Sequence, residues 1–284
     1  MMELEQLTPQ QRDEVQHLVQ RIAEADGVAP TNESADLVIA GQRPGSFFFA
    51  TAGDDLVGFA VADARDGTIQ AGVLPGHRRR GHGTSLLRAA LEAHPHHTLW
   101  AFGTQPGAAG LAGALGLTPV RELLKMARPL GEEPEARVPA GWTIRAFRPS
   151  DADGVVATNA AAFAHHPEQG RLTRDEFDAL TSQPWFSAEG LLVATRGYED
   201  SPVVGFHWTK RHDEATGEVY VLAVHPDHEG HGLGRALLEA GLAHLEAVGC
   251  TEVVLFVEAS EERVVAMYRS ASFVTSNTDT SYQL

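Results

Sequence analysis

Val73-Leu74-Pro75-Gly76-His77-Arg78-Arg79-Arg80-Gly81-His82-Gly83 is written a second time in this chain, as Val224-His225-Pro226-Asp227-His228-Glu229-Gly230-His231-Gly232-Leu233-Gly234. Aligned on Pro75 and Pro226 without a gap, the glycine pair Gly81 and Gly83 superposes on Gly232 and Gly234. Leu86-Leu87 likewise falls on Leu237-Leu238. Each copy follows a β-rich run and opens a helical pattern, the place where backbone N–H groups and a helix dipole can hold a phosphate. Two such loops in register read as a duplicated domain built around an anionic cofactor.

Working outward from the loops, the two halves repeat one plan. Gln10 to Ala25 has the apolar spacing of an amphipathic helix, with Val15, Leu18, Val19 and Ile22 on one face. Ser46 to Thr51 and Leu56 to Ala62 read as a hairpin about Gly53-Asp54-Asp55. Thr68 to Val73 leads into the first loop and a helix, Thr84 to Ala93. A short strand (Thr98 to Phe102), a small-residue helix (Gly107 to Leu115) and a strand (Val120 to Arg128) close the half. Gly131 to Gly141 holds two prolines and the adjacent acids Glu132 and Glu133, a linker composition.

In the second half, Trp142 to Phe147 is a strand and Ser150 the expected N-cap of a helix reaching Phe163. Leu191 to Thr195 pairs with Val203 to Lys210, and Glu218 to Val224 enters the second loop. The helix after it carries Leu233, Leu237, Leu238, Leu242 and Leu245 on one side. Val253 to Val257, a helix Glu261 to Ser270 and a strand Phe273 to Tyr282 complete it. The expectation is an α+β chain of two tandem domains, residues 1–130 and 142–284 about a linker 131–141. Each is a mostly antiparallel mixed sheet flanked by helices.

Composition narrows the function classes. The 284 residues suffice for two domains with their own cores, and 43% hydrophobic residues is ordinary for globular protein. A formal charge of -16 argues against nucleic acid or an anionic membrane as partner. Against that background Arg78-Arg79-Arg80, placed before a helix start, reads as an anion contact. The single cysteine, Cys250, excludes an internal disulfide and reads as a small buried hydrophobe. The acidic start, Met1-Met2-Glu3-Leu4-Glu5, has no apolar signal core, and no run is long enough to span a membrane. A cytoplasmic monomer acting on a small molecule is expected.

A glycine loop after a strand could also serve a dinucleotide or a nucleoside triphosphate. Here there is no Gly-x-x-x-x-Gly-Lys-Ser/Thr, nor a Gly-x-Gly-x-x-Gly opening a repeated βαβ fold. The pattern Arg78-x-x-Gly81-x-Gly83 instead resembles the pyrophosphate loop of the GCN5-related N-acetyltransferases (GNAT), which bind acetyl-coenzyme A. Within them, the run Asn159 to Gly170, with His165-His166-Pro167-Glu168-Gln169-Gly170, is similar to the mycothiol synthase family. So are Gly205-Phe206-His207-Trp208-Thr209-Lys210, Gly217 to Leu222, Thr278 to Tyr282 and Asp26-Gly27-Val28-Ala29-Pro30. The resemblance implies transfer of acetyl from acetyl-coenzyme A to the cysteinyl amine of desacetylmycothiol, a pseudo-disaccharide thiol. Alternatives are a GNAT enzyme for another amino-sugar or peptide amine, and a non-catalytic acetyl-coenzyme A sensor.

Amine acetylation needs a base for the ammonium proton and an acid for the departing thiolate. Glu218, in the strand entering the second loop, is the candidate base, and the resemblance gives it the same role. Tyr268 is the candidate acid. In the ungapped alignment Gly67 stands opposite Glu218, and Ala112, five residues before Leu117, matches Tyr268, five before Phe273, so the first half reads as cofactor-binding and non-catalytic. The N–H of Leu222 is a candidate one-donor oxyanion site.

The resemblance assigns one acetyl-coenzyme A to Ala71, Gly72, Val73, Arg78, Arg79, Arg80, Gly81, His82 and Gly83. A second would meet Leu222, Ala223, Val224, Glu229, Gly230, His231, Gly232, Leu233, Gly234 and Arg235, together with Glu261, Glu262, Arg263, Val264, Val265 and Ala266. The sugar–inositol substrate would meet Glu33, Glu168, Lys210, Glu218 and Phe256. Three of these depart from the family. Glu229 stands where glutamine or arginine is usual, Glu261 where asparagine is, and Phe256 where tyrosine is. Like charge near a phosphate weakens binding, so lowered cofactor affinity is expected in the second half. His225, His228 and His231 have a metal-like spacing but lie in a glycine loop without a rigid ligand face, and no metal is expected.

Overall fold

The computed structural model describes residues 3–103, 105–133, 135–164, 169–197 and 201–284. Two compact units emerge. The first comprises residues 1–124, 258–260 and 277–284, and the second 125–257 and 261–276. The chain's last eight residues thus count with the first unit, whereas a division at the linker would place them in the second half.

The first unit opens with α1 (Pro9–Asp26), set by a capping box between Thr8 and Gln11 and ended by Gly27 at φ 70°. A short α2 (Glu33–Ile39), capped by Asn32, follows. Then come β1 (Gly45–Ala52), β2 (Asp55–Asp63), β3 (Thr68–Val73), α3 (His82–Ala93), β4 (Thr98–Ala101) and α4 (Pro106–Ala114). Strands β1 to β3 are antiparallel neighbours and β4 runs parallel to β3. Beyond β4, the end of the final strand β11 (Val274–Gln283) pairs antiparallel through Thr280 to Tyr282. Both faces of this sheet are covered. Phe48, Ala60 and Ile69 pack with Leu86 and Leu87 of α3. Phe47, Phe59 and Val61 pack with Val15, Leu18 and Ile22 of α1. Burial on both faces explains why β2 reads as a continuous apolar run, not an alternating one.

The second unit takes in the end of β5 (Thr118–Pro129), β6 (Trp142–Ala146), α5 (Ala152–Ala162), α6 (Arg174–Thr181), β7 (Leu191–Arg196) and β8 (Val203–Arg211). After these come β9 (Thr216–Val224), α7 (Leu233–Ala247), β10 (Glu252–Glu258) and α8 (Glu262–Ser270). Its strand order is β6-β7-β8-β9-β10-β5. The first four are antiparallel neighbours and β10 runs parallel to β9. Leu233 and Leu237 of α7 cover one face, and Phe177 of α6 with Phe206 and Trp208 builds an aromatic core on the other. The α+β expectation holds for both units. Each is mostly antiparallel with one parallel pairing at the strand that enters the loop.

One local expectation is corrected. Ser150 does not cap α5: it lies inside a 3-10 turn, Pro149–Asp151, and the helix starts at Ala152. The turn is held by Asp151, whose carboxylate accepts from Arg145 at 2.7 and 2.8 Å and from the Arg148 N–H at 2.7 Å. Helices α2 and α6 were not anticipated. The second has a legible signal, the capping box of Thr173 and Glu176.

Candidate active site

The two glycine loops share one backbone. Each strand gives way to a 3-10 turn, Pro75–His77 or Pro226–His228, and then to an extended residue: Arg78 at φ −69°, ψ 162°, or Glu229 at φ −69°, ψ 164°. The next residue is left-handed in both, Arg79 at φ 61° and Gly230 at φ 79°. Gly81 and Gly232 are left-handed again, at φ 89° and 78°, immediately before α3 and α7. Such turns point successive N–H groups into one concavity, a nest for an anion. Neither helix has a side-chain cap, so the first-turn N–H groups face the same concavity without competition. A Cβ at Gly81 or Gly230 would meet nothing within 4 Å, so the mouth of each nest is open.

Side chains around the nests differ. Arg78 was expected beside the cofactor. Its guanidinium instead donates to both Asp26 oxygens, at 2.8 and 2.6 Å, while its Nε donates to the Val73 carbonyl at 2.8 Å. It ties the loop to the end of α1. Glu229 occupies the same backbone position in the second loop and is exposed. In the first turn of α7, Arg235 points aside, donating to Glu239 at 2.8 Å and Ser270 at 2.9 Å. His228 and His231 flank Trp142, with ring centroids 5.5 and 6.1 Å away. Among the described residues no cluster of three His, Cys, Asp or Glu side chains could hold a metal ion.

The strands entering the loops diverge at one residue. The β2–β3 register is unbroken from Gly58↔Val73 to Asp63↔Thr68. The β8–β9 register starts alike at Gly205↔Val224 but shifts after Trp208↔Val221, resuming at Thr209↔Val219 and Lys210↔Glu218. Tyr220 is therefore an extra residue, a β-bulge of the kind found beside active sites. The bulge also corrects the alignment: Glu218 corresponds in register to Thr68, not to Gly67. Thr68 carries no carboxylate, and its hydroxyl is buried without a partner.

Pairing between β9 and β10 covers Thr216 to Glu218 and stops at Glu218↔Val254, although β9 continues to Val224. His225 N–H bonds the Val204 carbonyl at 2.8 Å, which makes His225 and Val204 a hydrogen-bonded pair. Antiparallel pairs alternate, so Leu222, opposite His207, turns its N–H away from β8. That N–H points to the side where β10 no longer pairs.

Glu218 is 8% exposed, and its Oε2 lies 2.7 Å from Nε2 of His212. Lys210, its partner across the ladder, holds its ammonium 4.8 Å from the Trp185 ring centre and 5.0 Å from that of Tyr220. These rings pack on Trp208 at 5.9 and 5.7 Å. A carboxylate, an ammonium, an imidazole and an aromatic wall thus gather around the bulge. His212, Trp185 and Tyr220 were missed by the sequence reading. His212 could have been found by folding the hairpin about Asp213, because it then sits diagonally across from Glu218.

Tyr268 is buried on α8 with its ring against Phe273 at 5.6 Å. Burial pushes its phenol well above the usual range, so it stays protonated. The Phe273 N–H bonds the Tyr268 carbonyl at 3.1 Å, and the Leu117 N–H bonds Ala112 in the same way at 2.9 Å. Ala112 is therefore the true counterpart of Tyr268. Helix α8 lies against the second loop: the Met267 sulfur is 3.9 Å from where a Cβ on Gly234 would sit. Glu261, at the N-cap of α8, supplies its carbonyl to Val265 and no side-chain cap. Glu262 to Ala266 form the first turns of that helix.

Among the expected substrate contacts, Phe256 is 44% exposed on β10, beyond the point where pairing with β9 ends, with the Lys125 ammonium 6.0 Å from its ring centre. Glu33 belongs to α2 in the first unit. Glu168 lies outside the described residues, as do His165 and His166.

The acetyltransferase (GNAT) family matches the chain over residues 12–116 and 160–273. A mycothiol acetyltransferase of Propionibacterium freudenreichii is 45% identical over 97% of this chain and 89% of its own length. That of Actinosynnema mirum is 42% identical over 98% of this chain and 97% of its own length. Among solved structures, a GCN5-related N-acetyltransferase of Sphaerobacter thermophilus superposes with a TM-score of 0.75 at 21% identity, over 99% of this chain and 94% of that one. A tandem GNAT protein from the clavulanic acid biosynthesis pathway gives 0.73 at 19% identity, over 99% and 96%. These two likenesses establish the fold.

Proposed function

This chain belongs to the acetyltransferase (GNAT) family, and from its likeness to the mycothiol acetyltransferases we propose that it moves acetyl from acetyl-coenzyme A to the cysteinyl amine of desacetylmycothiol. The observation that carries the reading is a buried carboxylate, Glu218, on the one loop-entering strand that bulges.

The second unit is the catalytic one. Glu218 takes a proton from the substrate ammonium, freeing the nitrogen lone pair to attack the thioester carbonyl. As the N–C bond forms, the developing oxyanion is met by the Leu222 N–H. The C–S bond then breaks, Tyr268, kept protonated by its burial, supplies a proton to the leaving thiolate, and the second proton lost by the nitrogen restores the phenol. Lys210, held over Trp185 and Tyr220, is placed to meet substrate hydroxyls beside Glu218. Phe256 offers an apolar surface where a hydroxyl-bearing ring would offer a hydrogen bond.

The open backbone nests and uncapped helices suit a pyrophosphate in both units. Each unit would hold one acetyl-coenzyme A, through the loop N–H groups more than through Arg78 or Arg235, whose guanidinium groups are already engaged. The first unit binds without catalysing, because Thr68 and Ala112 stand where Glu218 and Tyr268 do and β3 has no bulge. The protein works as a monomer on a small-molecule substrate. A charge of -16 disfavours polyanionic partners, and no helix among the described residues is long and apolar enough to cross a membrane.

Mass spectrometry of the protein with acetyl-coenzyme A and desacetylmycothiol tests the reading. An N-acetyl product, lost in Glu218→Gln with cofactor binding intact, is expected. Bound cofactor with the thiol untouched would overturn the substrate assignment, in favour of another amine or of a sensor.

A further inference from the structure

Acetylating an ammonium releases one net proton: two leave the nitrogen and one joins the departing thiolate. With Glu218 only 8% exposed, the remaining proton needs a way out. The neighbours of Glu218 in register offer little. Lys210 across β8 is already a cation, and Val254 on β10 is apolar. His212 is different. Its Nε2 is 2.7 Å from the Glu218 carboxylate, and its side chain is 41% exposed to solvent.

We propose that His212 relays the proton from Glu218 to solvent, an inference that rests on Glu218 being the base. Glu218 accepts the proton from the ammonium nitrogen. Its carboxyl O–H then gives that proton to Nε2 of a ring protonated on Nδ1, while Nδ1 releases its own proton to water. The ring ends with Nε2–H donating to the restored carboxylate, and exchange with solvent resets the tautomer. No other reactant is needed.

The hairpin end that carries this ring is held by its own hydrogen bonds. The His212 N–H bonds the Thr216 carbonyl at 3.0 Å. The Asp213 carboxylate accepts from the Ala215 and Thr216 N–H groups at 2.8 and 2.7 Å. Arg211 donates to the Asp213 and Glu214 carbonyls at 2.9 and 3.1 Å. The turn is closed by its own hydrogen bonds, leaving the imidazole between a buried carboxylate and water. In the first unit the corresponding strand ends carry Asp63 opposite Thr68, with no base to serve.

His212→Ala and His212→Gln test the relay, since glutamine can donate to Glu218 but cannot pass a proton on. Steady-state kinetics should show kcat reduced by about tenfold or more in both, within the range general acid–base groups supply, with KM for acetyl-coenzyme A unchanged. Added imidazole should restore turnover in His212→Ala and do nothing for Glu218→Gln. A merely structural histidine would be rescued by glutamine and indifferent to imidazole, and that outcome overturns the relay. Glu218→Gln retaining turnover overturns the base assignment, and the relay with it. Glu218→Gln inactive while both His212 variants keep full kcat overturns the relay alone.

Discussion

Acidification should destabilise this protein through one ring in particular, His207. It is fully buried on β8, its Nδ1 lies 2.8 Å from the Leu237 carbonyl of α7, and its Nε2 has no partner. A neutral ring with Nδ1–H donating suits this site, whereas a second proton would strand an N–H in apolar surroundings. Burial, with the nearby His244 adding to it, lowers its pKa from 6.5 to about 4. The folded value lies below the unfolded one, so between them the unfolded chain binds more protons. The stabilisation is therefore complete above 6.5 and drains away as pH falls toward 4. The whole window is worth about 3 kcal/mol, of which about 2 kcal/mol is gone by a pH of about 5. His97 and His244 are also lowered by burial and slope the same way, so the assay must be a difference. The non-titrating reference is the double variant His207→Ala/Gly241→Ala, which copies the Ala60 and Ala90 of the first unit. Urea unfolding midpoints of both proteins, followed from neutral pH to about 5, should converge as pH falls, the difference narrowing by about 2 kcal/mol. Parallel curves would refute the reasoning.

Other outcomes follow from single positions. A Cβ on Gly241 would sit 2.0 Å from His207 Nδ1, so Gly241→Ala alone should cost about 2–4 kcal/mol, read as lost thermal stability, and His207→Ala in the same chain should recover part of it. Gly230→Ala forces a side chain onto φ 79°, costing about 1 kcal/mol and raising KM for acetyl-coenzyme A, whereas Gly76→Ala, with open space and no left-handed φ, should stay within about 0.5 kcal/mol. Tyr268→Phe keeps the packing against Phe273 and removes the proton donor, so kcat should fall by about 100-fold or more with stability nearly unchanged; an unaltered kcat removes Tyr268 from the mechanism. If Glu229 repels the cofactor, isothermal titration should show acetyl-coenzyme A binding Glu229→Gln about 2–3-fold tighter, a small factor because the side chain is exposed; no gain would mean it turns away as Arg78 does.

Much of this was written locally. The duplicated loop, the strands that feed it and the helices that follow are set by short-range patterns: period-two apolar runs, glycines at left-handed positions, proline before the turn. Those patterns act within a few residues and are therefore legible in sequence. Helix α6 is legible too, in the capping box of Thr173 and Glu176. The sequence by itself thus determined an α+β chain with two nests, and it singled out Glu218, Lys210 and Tyr268 as the groups with chemistry to offer. Tertiary structure decided what stands around them. The extra residue at Tyr220 changes nothing in the apolar pattern, yet it shifts the register by one, and only pairing with β8 shows that Thr68 is the counterpart of Glu218. Arg78 looks like an anion contact until Asp26, far back in the chain, is found to hold its guanidinium. His212 reads as a turn residue until the hairpin closes it onto Glu218. In each case the deciding partner is distant along the chain or set by strand register, and the free energy of that contact is not written in either residue alone.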